Sequence, residues 1–195
     1  MIKPKSRLTR IILIIILALL ALLSVTAFSS CKSGDDNLEI FSPGNGKYEI
    51  RLNPGDWMDM SAQLEYYGDR IGIYNETAGI VLVVDCYPKT DFSDINNFME
   101  FYKTSDIAKL RYEATEDKII GGATDVAQKE IKGTGVKSGK RQEIRLKING
   151  ENAVGEFIYL EANNYFLAFS YTVFEKNFAD AHKAANEALA NLKIK

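Results

Sequence analysis

Two carboxylates interrupt stretches that otherwise predict apolar strands, and they are the residues that could do chemistry. Asp85 lies in the apolar run 80–87, and Glu156 lies between Gly155 and Phe157. If the two side chains met in space, they would form the acid/base pair of a hydrolase. The alternative, which we favour, is that each carboxylate points to solvent at a strand end or pairs with a Lys or Arg.

Other reactive side chains are sparse in the 195-residue chain, which has two cysteines, Cys31 and Cys86, and one histidine, His182. Cys86 lies in an apolar run, where a free cysteine usually behaves as a small buried hydrophobe. His182 lies beside the apolar stripe of the last predicted helix, a position typical of a core or flanking residue. The sequence has no phosphate-binding glycine loop, CxxC pair or HExxH motif. We therefore expect no cofactor and no metal.

The N-terminal segment has the pattern of an export signal. Four basic residues and no acidic residue lie among the first ten, and the apolar run 11–28 follows. Ser29 and Ser30 then lead to Cys31, and this ending resembles the lipobox of bacterial lipoproteins. Phe28 departs from that family, which usually has an aliphatic residue there. The resemblance implies cleavage before Cys31 and attachment of diacylglycerol, with fatty acids such as palmitate, to the Cys31 thiol.

The alternative for residues 11–28 is an uncleaved transmembrane helix, because their number lies within the roughly 17–25 residues that span a bilayer. In both cases the positive end stays cytoplasmic and the rest of the chain is exported. We therefore predict a signal peptide over residues 1–30 and a protein held at the extracytoplasmic face of the cell membrane through lipid on Cys31.

The charge balance of the exported part limits its partners. All 26 acidic residues lie after position 30, against 20 Lys and Arg, so residues 31–195 carry a formal charge of −6. A net-acidic domain argues against nucleic acid as a partner. With Cys31 acylated, Cys86 has no second cysteine to pair with, so no disulfide framework is expected.

Local patterns divide the exported part into a spacer and one domain. The polar stretch 31–46 predicts a flexible spacer, which places the domain over residues 47–195. Alternating apolar residues predict a first strand over Tyr48–Leu52 and then a turn at 53–56. Two further strands are expected over 66–74 and 79–87.

The next apolar stripe recurs at i, i+3, i+4, i+7 and predicts a helix, capped by Asp91 or Ser93, that continues towards Leu110. The dipeptide Asn149-Gly150 predicts a tight hairpin between two later strands. The strands expected after the helix span 125–132, 140–148, 155–161 and 165–173. The chain closes with a helix whose apolar stripe comprises Phe174, Phe178, Ala181, Ala185, Ala188, Leu189 and Leu192.

Several of these strands are apolar on both faces, so both faces must be covered by other elements. The order of strands, helix, strands and helix therefore predicts an α+β fold, in which helices pack on both faces of one antiparallel sheet.

Two parts of the domain resemble the PsbP-like family. The family's opening strand and turn are matched by Tyr48, Ile50, Leu52, Pro54 and Trp57. Its adjacent late strands resemble residues 158–161 and 165–170, and its closing helix resembles the one that follows Phe174. The resemblance covers residues 47–195 and implies an α/β/α sandwich whose members are mostly non-enzymatic binding or assembly modules. None of these motifs carries a functional residue.

One surface candidate is a basic strip over residues 129–147, with seven basic and two acidic residues. On a tethered domain such a strip could lie against anionic lipid headgroups, where each basic residue contributes about 1 kcal/mol. The alternative is an ordinary solvated sheet edge. The basic residues are Lys129, Lys132, Lys137, Lys140, Arg141, Arg145 and Lys147.

A second surface candidate is an aromatic group in the early strands, which could line a groove for a ligand or partner. It could equally be the end of the core. The group comprises Trp57, Tyr66, Tyr67 and Tyr74.

The sequence as a whole predicts a membrane-anchored, extracytoplasmic and non-enzymatic binding or assembly module of the cell envelope. Its expected partners are the membrane and an unidentified envelope protein or small ligand. The alternatives are an envelope hydrolase that uses Asp85 and Glu156, and the solute-capture subunit of a transporter.

Overall fold

The computed structural model describes residues 38–64, 69–113 and 118–195. The predicted signal peptide and Cys31 lie outside these residues. The helices are α1 (Ile95–Tyr102), α2 (Asp106–Glu113), α3 (Gln128–Ile131) and α4 (Phe178–Ala190). The strands are β1 (Glu39–Phe41), β2 (Tyr48–Leu52), β3 (Trp57–Asp59), β4 (Ile71–Asn75), β5 (Ile80–Pro88), β6 (Ile119–Ile120), β7 (Thr124–Asp125), β8 (Val136–Ile148), β9 (Glu151–Ala162), β10 (Tyr165–Phe174) and β11 (Leu192–Ile194).

The large sheet has the strand order β3-β4-β5-β10-β9-β8-β6, and β7 also pairs with β8. All of these pairings are antiparallel. The hairpin between β8 and β9 turns at Asn149 and Gly150, which have φ values of 52° and 85°. These positive φ values match those of a type I′ turn, as the dipeptide predicts.

Helices cover both faces of the large sheet, which confirms the predicted α+β sandwich. On one face, here called the α1 face, helix α1 packs on alternate residues of β9 and β10, including Phe157 and Phe166. On the other face, the α4 face, helix α4 packs on the residues between them, including Ile158 and Phe169. Because neighbouring residues of one strand serve opposite faces, these strands are apolar throughout.

Helix α1 has the predicted stripe, and Ile95, Phe98, Met99 and Tyr102 are all buried. Its cap is neither Asp91 nor Ser93. Asp94 accepts hydrogen bonds from the backbone N–H groups of the second and third helical residues. The helix ends at Tyr102, and α2 starts separately at Asp106, so the single helix predicted towards Leu110 is divided.

Two predicted elements differ from those observed. The strand expected over 125–132 is the short β7 followed by the one-turn helix α3, which turns both Val126 and Ile131 into the α4-face core. The closing helix stops at Ala190, so Leu192 is not part of it. Leu192 instead begins β11, where it lies opposite Ile50 and is buried.

A small sheet with the order β1-β2-β11 joins the two ends of the domain. Strand β1 lies within residues 31–46, which were predicted as spacer, and its Phe41 is only 3% exposed in the α4-face core. The predicted boundary at residue 47 is therefore too late, because β1 needs its partner β2 to become a strand and shows no periodicity of its own.

Candidate functional site

Asp85 is a buried member of β5 on the α1 face, and an arginine neutralises it. Arg70, just before β4, donates from Nε to Asp85 Oδ1 at 2.6 Å. Its two terminal nitrogens donate to both carboxylate oxygens of Asp106, at 2.9 and 3.0 Å. Tyr102 of α1 donates its hydroxyl to the second oxygen of Asp85 at 2.6 Å. We call Arg70, Asp85, Tyr102 and Asp106 the α1-face network.

Burial and charge oppose each other within the α1-face network. Burial raises the pKa of Asp85, and the hydrogen bond and charge of Arg70 act in the opposite direction. For Asp106, which is half exposed at the start of α2, the hydrogen bonds from Arg70 lower the pKa. One cation is thus shared by two carboxylates, and its hydrogen-bonding groups face protein partners rather than a cavity.

Glu156 is fully buried on β9 and faces α4. Tyr171, its neighbour across β10, donates its hydroxyl to Glu156 Oε2 at 2.8 Å. His182 of α4 places Nδ1 3.0 Å from Glu156 Oε1. Burial and the adjacent Glu156 carboxylate raise the pKa of Tyr171, so its hydroxyl keeps its proton and acts as a donor. We call Arg141, Glu156, Tyr171 and His182 the α4-face network.

Arg141 lies against the imidazole ring of His182. Its terminal nitrogen lies 2.9 Å from His182 Nε2 and 3.6 Å from Glu156 Oε1. The same nitrogen also lies 3.3 Å from His182 Nδ1, so which ring nitrogen accepts depends on the tautomer of the imidazole. Arg141 also donates to Asn186 at 2.5 Å and to Glu130 at 3.3 Å. His182 Nε2 is therefore engaged and does not point at a substrate site.

The two carboxylates lie on opposite faces of the sheet. Asp85 is opposite Ala168 on β10, whereas Glu156 is opposite Tyr171, three residues further along the same strand. Side chains alternate between faces along a strand, so an odd separation places them on different sides. They cannot flank one bond, and the hydrolase alternative built on this pair is wrong. Their pairing with basic residues agrees with the favoured interpretation, whereas neither points to solvent.

The link between Glu156 and His182 was missed at the sequence level. The available signal was positional, since His182 lies four residues after Phe178 and three before Ala185, on the apolar stripe of the helix. A polar side chain at such a position needs a polar partner on the strand beneath it. Glu156 is the carboxylate that interrupts that strand.

Cys86 lies on the α4 face of β5 and is a free, buried thiol. Burial raises its pKa to about 12, so the thiol keeps its proton at neutral pH. A protonated buried thiol is a poor nucleophile. This environment agrees with the prediction that Cys86 is a core residue.

The basic strip over residues 129–147 is not one continuous surface. Arg141 is largely buried in the α4-face network, and Arg145 pairs with Glu175 at 2.8 Å. Lys140 pairs with Asp125 at 3.1 Å and alternates with Arg141 along β8, so it points to the other face. The exposed members near the start of β8 are Lys129, Lys132 and Lys137. These three lysines form the exposed part of the strip on this side of β8.

The predicted aromatic groove is not formed by the two members that the structure describes. Trp57 is 1% exposed in the α4-face core. Tyr74 is opposite Met58, the residue after Trp57, so the two aromatic side chains point to different faces. Tyr66 and Tyr67 lie outside the described residues.

The described residues contain few other features of a site. They include no group of three or more metal-ligating side chains, and none of their helices is long and apolar enough to cross a membrane. A shallow, open surface depression of about 430 Å³ lies at the end of the β8–β9 hairpin. It is lined by Glu151, Asn152, Phe174, Glu175 and Lys176.

Comparison with known proteins gives matches in structure only. No protein-family model matches the sequence, and no curated protein matches it. The solution structure of cyanobacterial PsbP (CyanoP) from Synechocystis sp. PCC 6803 aligns with a TM-score of 0.53 at 12% identity, over 86% of this chain and 99% of that chain. The crystal structure of LpqN, described as involved in cell envelope biogenesis of Mycobacterium tuberculosis, aligns with a TM-score of 0.50 at 13% identity, over 83% and 93%.

A crystal structure from Bacteroides thetaiotaomicron aligns with a TM-score of 0.52 at 14% identity, and the alignment covers 82% of this chain. The chain spans about half of that protein, since the alignment covers 49% of it. At these identities the likeness concerns the fold and not the activity. This structural likeness, together with the helices on both faces of the sheet, confirms that the domain has a PsbP-like fold.

Proposed function

We propose that this protein is a lipoprotein at the extracytoplasmic face of the cell membrane, where it binds or helps assemble another component of the envelope without turning over a substrate. The observation that carries the proposal is the N-terminal sequence, in which a basic segment, an apolar run and two serines lead to Cys31. Each buried CH₂ of an attached lipid contributes about 0.8 kcal/mol, so two acyl chains hold a protein on a membrane stably.

The polar side chains of the domain support a non-enzymatic role. Asp85 and Glu156, the two carboxylates that could have acted as acid and base, are each engaged by a cation and a tyrosine. Cys86 is a buried neutral thiol, and His182 has both ring nitrogens in hydrogen bonds. These groups hold the helices on the two faces of the sheet. Binding of a partner would therefore use exposed side chains rather than these buried groups.

The fold agrees with a role at the cell envelope. LpqN, one of the solved structures with this fold, is described as involved in cell envelope biogenesis. We carry over from it only the idea that a PsbP-like sandwich suits a binding module at the envelope.

The anchor is tested by replacing Cys31 with Ala in cells fed a clickable fatty acid. The Cys31→Ala variant should lose the label and accumulate as a larger precursor, because the cysteine is both the acylation site and the cleavage signal. Cys86→Ala is the matched control, since it removes the other cysteine and should leave labelling and size unchanged. A Cys31→Ala protein with normal label and normal size would refute the lipoprotein assignment.

The binding role is tested by crosslinking the tethered protein in cells and identifying the products by mass spectrometry. We expect the wild-type protein to give specific crosslinks to an envelope component. The Cys31→Ala precursor, which the uncleaved apolar run still holds in the membrane, shows which of these crosslinks require the lipid on Cys31. A reproducible turnover by the purified full chain, lost on replacing one polar residue with the fold intact, would refute the non-enzymatic assignment.

A further inference from the structure

The outer face of the small sheet combines exposed aliphatic and basic side chains. In β2, Tyr48, Ile50 and Leu52 point into the core, so Glu49 and Arg51 point outward. Ile40 of β1 lies opposite Arg51, and Lys193 of β11 lies opposite Glu49, so both also point outward. We call this surface the outer face and define it by Leu38, Ile40, Arg51, Lys193 and Lys195.

Apolar side chains form one side of the outer face. Ile40 is 54% exposed, and Leu38, two residues earlier on the same extended segment, is 44% exposed. Ile40 lies on β1, an edge strand of the small sheet, and Leu38 directly precedes that strand. Neighbouring exposed aliphatic residues bordered by charges are typical of an interaction surface.

The other side of the outer face is positively charged. Arg51 and Lys195 both bind Glu49 at 2.7 Å and cover it, and each keeps about half of its side chain exposed. Hydrogen bonds from Lys195 and Arg51 lower the pKa of Glu49, so this carboxylate stays ionised and cancels one cation. With Lys193 included, three cations face one carboxylate. The exposed Glu39 lies opposite the inward Leu52 and is not part of this face.

The outer face lies close to the proposed anchor along the chain. Cys31 and Leu38 are seven positions apart, and a chain of that length spans at most about 25 Å. With lipid on Cys31, as proposed, this length limits how far the small sheet can lie from the bilayer. The domain carries a formal charge of −6, so an anionic membrane repels most of its surface and attracts a basic patch.

We propose that the outer face rests on the anionic phospholipid bilayer that holds the anchor. Leu38 and Ile40 enter the boundary between headgroups and acyl chains, and Arg51, Lys193 and Lys195 face the lipid phosphates. This inference rests on the proposed membrane anchoring and adds the orientation of the domain.

Tryptophan fluorescence can test this orientation in the full chain. Trp57 is the one tryptophan of the sequence and is buried, so it gives a constant background. The Ile40→Trp variant is purified from membranes and reconstituted in vesicles of phosphatidylcholine and phosphatidylglycerol with brominated acyl chains. We expect about a twofold loss of the added fluorescence, and a smaller loss in vesicles of phosphatidylcholine alone.

Ile119→Trp is the matched control, since Ile119 is a 67% exposed isoleucine on an edge strand of the large sheet. Gly135 contacts Ile194 of the small sheet, whereas Ile119 pairs with Arg145, ten residues further along β8. At about 3.3 Å per residue, the control lies about 30 Å from β11. Its added fluorescence should be unchanged by brominated lipid.

Charge is tested separately with Lys193→Gln, which should lower the ratio of docked to undocked protein about fivefold, the equivalent of one basic charge. Lys183→Gln, an exposed lysine of α4, should leave the ratio unchanged. Quenching at position 119, or at neither position, would overturn the proposed orientation. If fatty-acid labelling persists in that case, the anchor stands and only the orientation fails. Quenching at position 40 without labelling would support the face and refute lipidation.

Discussion

The two faces of the large sheet each bury one carboxylate, but they neutralise it differently. On the α1 face, Asp85 touches Arg70 directly at 2.6 Å, and the arginine is 3% exposed. On the α4 face, Glu156 is contacted by Tyr171 and His182, and the nearest arginine nitrogen is 3.6 Å away. Both carboxylates accept a hydrogen bond from a tyrosine. The two faces therefore differ in the distance between the carboxylate and its arginine.

The difference shows which network the fold depends on more. A buried ion pair stabilises little relative to an apolar pair, but removing one partner leaves an uncompensated charge. Arg70 joins three segments, since it precedes β4 and binds Asp85 of β5 and Asp106 of α2. Arg141 lies closer to solvent and shares its donors among Glu130, Asn186 and His182. We therefore expect the α1 face to be the more sensitive one.

The largest effect is expected for Arg70→Met, which removes the cation and keeps much of the side-chain volume. Asp85 would remain buried with only a tyrosine donor, and the free energy of unfolding should fall by about 3–5 kcal/mol. Urea unfolding followed by Trp57 fluorescence measures it. Arg145→Met is the matched control, because Arg145 is half exposed in its pair with Glu175 and should cost less than about 1 kcal/mol. Equal losses in the two variants would show that the α1-face network contributes no more than a surface pair.

The second prediction compares the two carboxylates directly. Asp85→Asn should lower the free energy of unfolding by about 2–3 kcal/mol, because it removes the buried carboxylate that Arg70 binds at 2.6 Å. Glu156→Gln should cost about 1 kcal/mol, because the amide oxygen still accepts and Arg141 keeps its other partners. Urea titrations of both variants and the wild-type protein measure the two losses in the free energy of unfolding. A larger loss for Glu156→Gln would reverse the ranking of the two faces.

Local patterns predicted much of the fold. The stripe from Ile95 to Tyr102 gave the buried face of α1, and Asn149-Gly150 gave the β8–β9 hairpin. The strands with apolar residues on both faces gave the two helical layers. Each of these signals lies within one element, where spacing alone decides which side chains face the core.

The two networks and the small sheet could not be predicted in the same way. Asp85 and Arg70 are 15 residues apart, and Glu156 and His182 are 26 residues apart. Strand β11 exists because it pairs with β2, more than 130 residues earlier, rather than because of its own periodicity. The local sequence offers three acceptable N-cap residues within four positions. Asp94 is the N-cap of α1 because the buried apolar residues of the helix begin at Ile95.

The third prediction concerns the feature that the two faces share. Tyr102→Phe and Tyr171→Phe each remove a hydroxyl that donates to a buried carboxylate, so each should lower the free energy of unfolding by about 1.5 kcal/mol. Tyr74→Phe is the control, because Tyr74 contacts neither carboxylate. If Tyr171→Phe cost much more than Tyr102→Phe, Glu156 would depend on its tyrosine for the stabilisation that Asp85 receives from Arg70.

The smallest effect concerns pH and separates the two carboxylates of the α1-face network. Asp85 has a raised pKa, so the part of the stability that depends on its protonation is present at low pH and is lost as the pH rises through that pKa. Asp106 has a lowered pKa, so its contribution is present above the ordinary carboxylate pKa of about 4 and is lost as the pH falls. Asp106→Asn should therefore lower the free energy of unfolding at pH 7 by less than about 1 kcal/mol, since the group is half exposed.

This difference between Asp106→Asn and the wild-type protein should shrink between about pH 5 and pH 2, where the wild-type carboxylate takes up its proton. Urea titrations across that range measure it. A difference that stayed constant down to pH 2 would mean that Asp106 stabilises the start of α2 through its shape and hydrogen bonding rather than through its charge. The charge of Arg70 would then stabilise Asp85 more than Asp106, and the two faces of the sheet would differ less than the bidentate contact indicates.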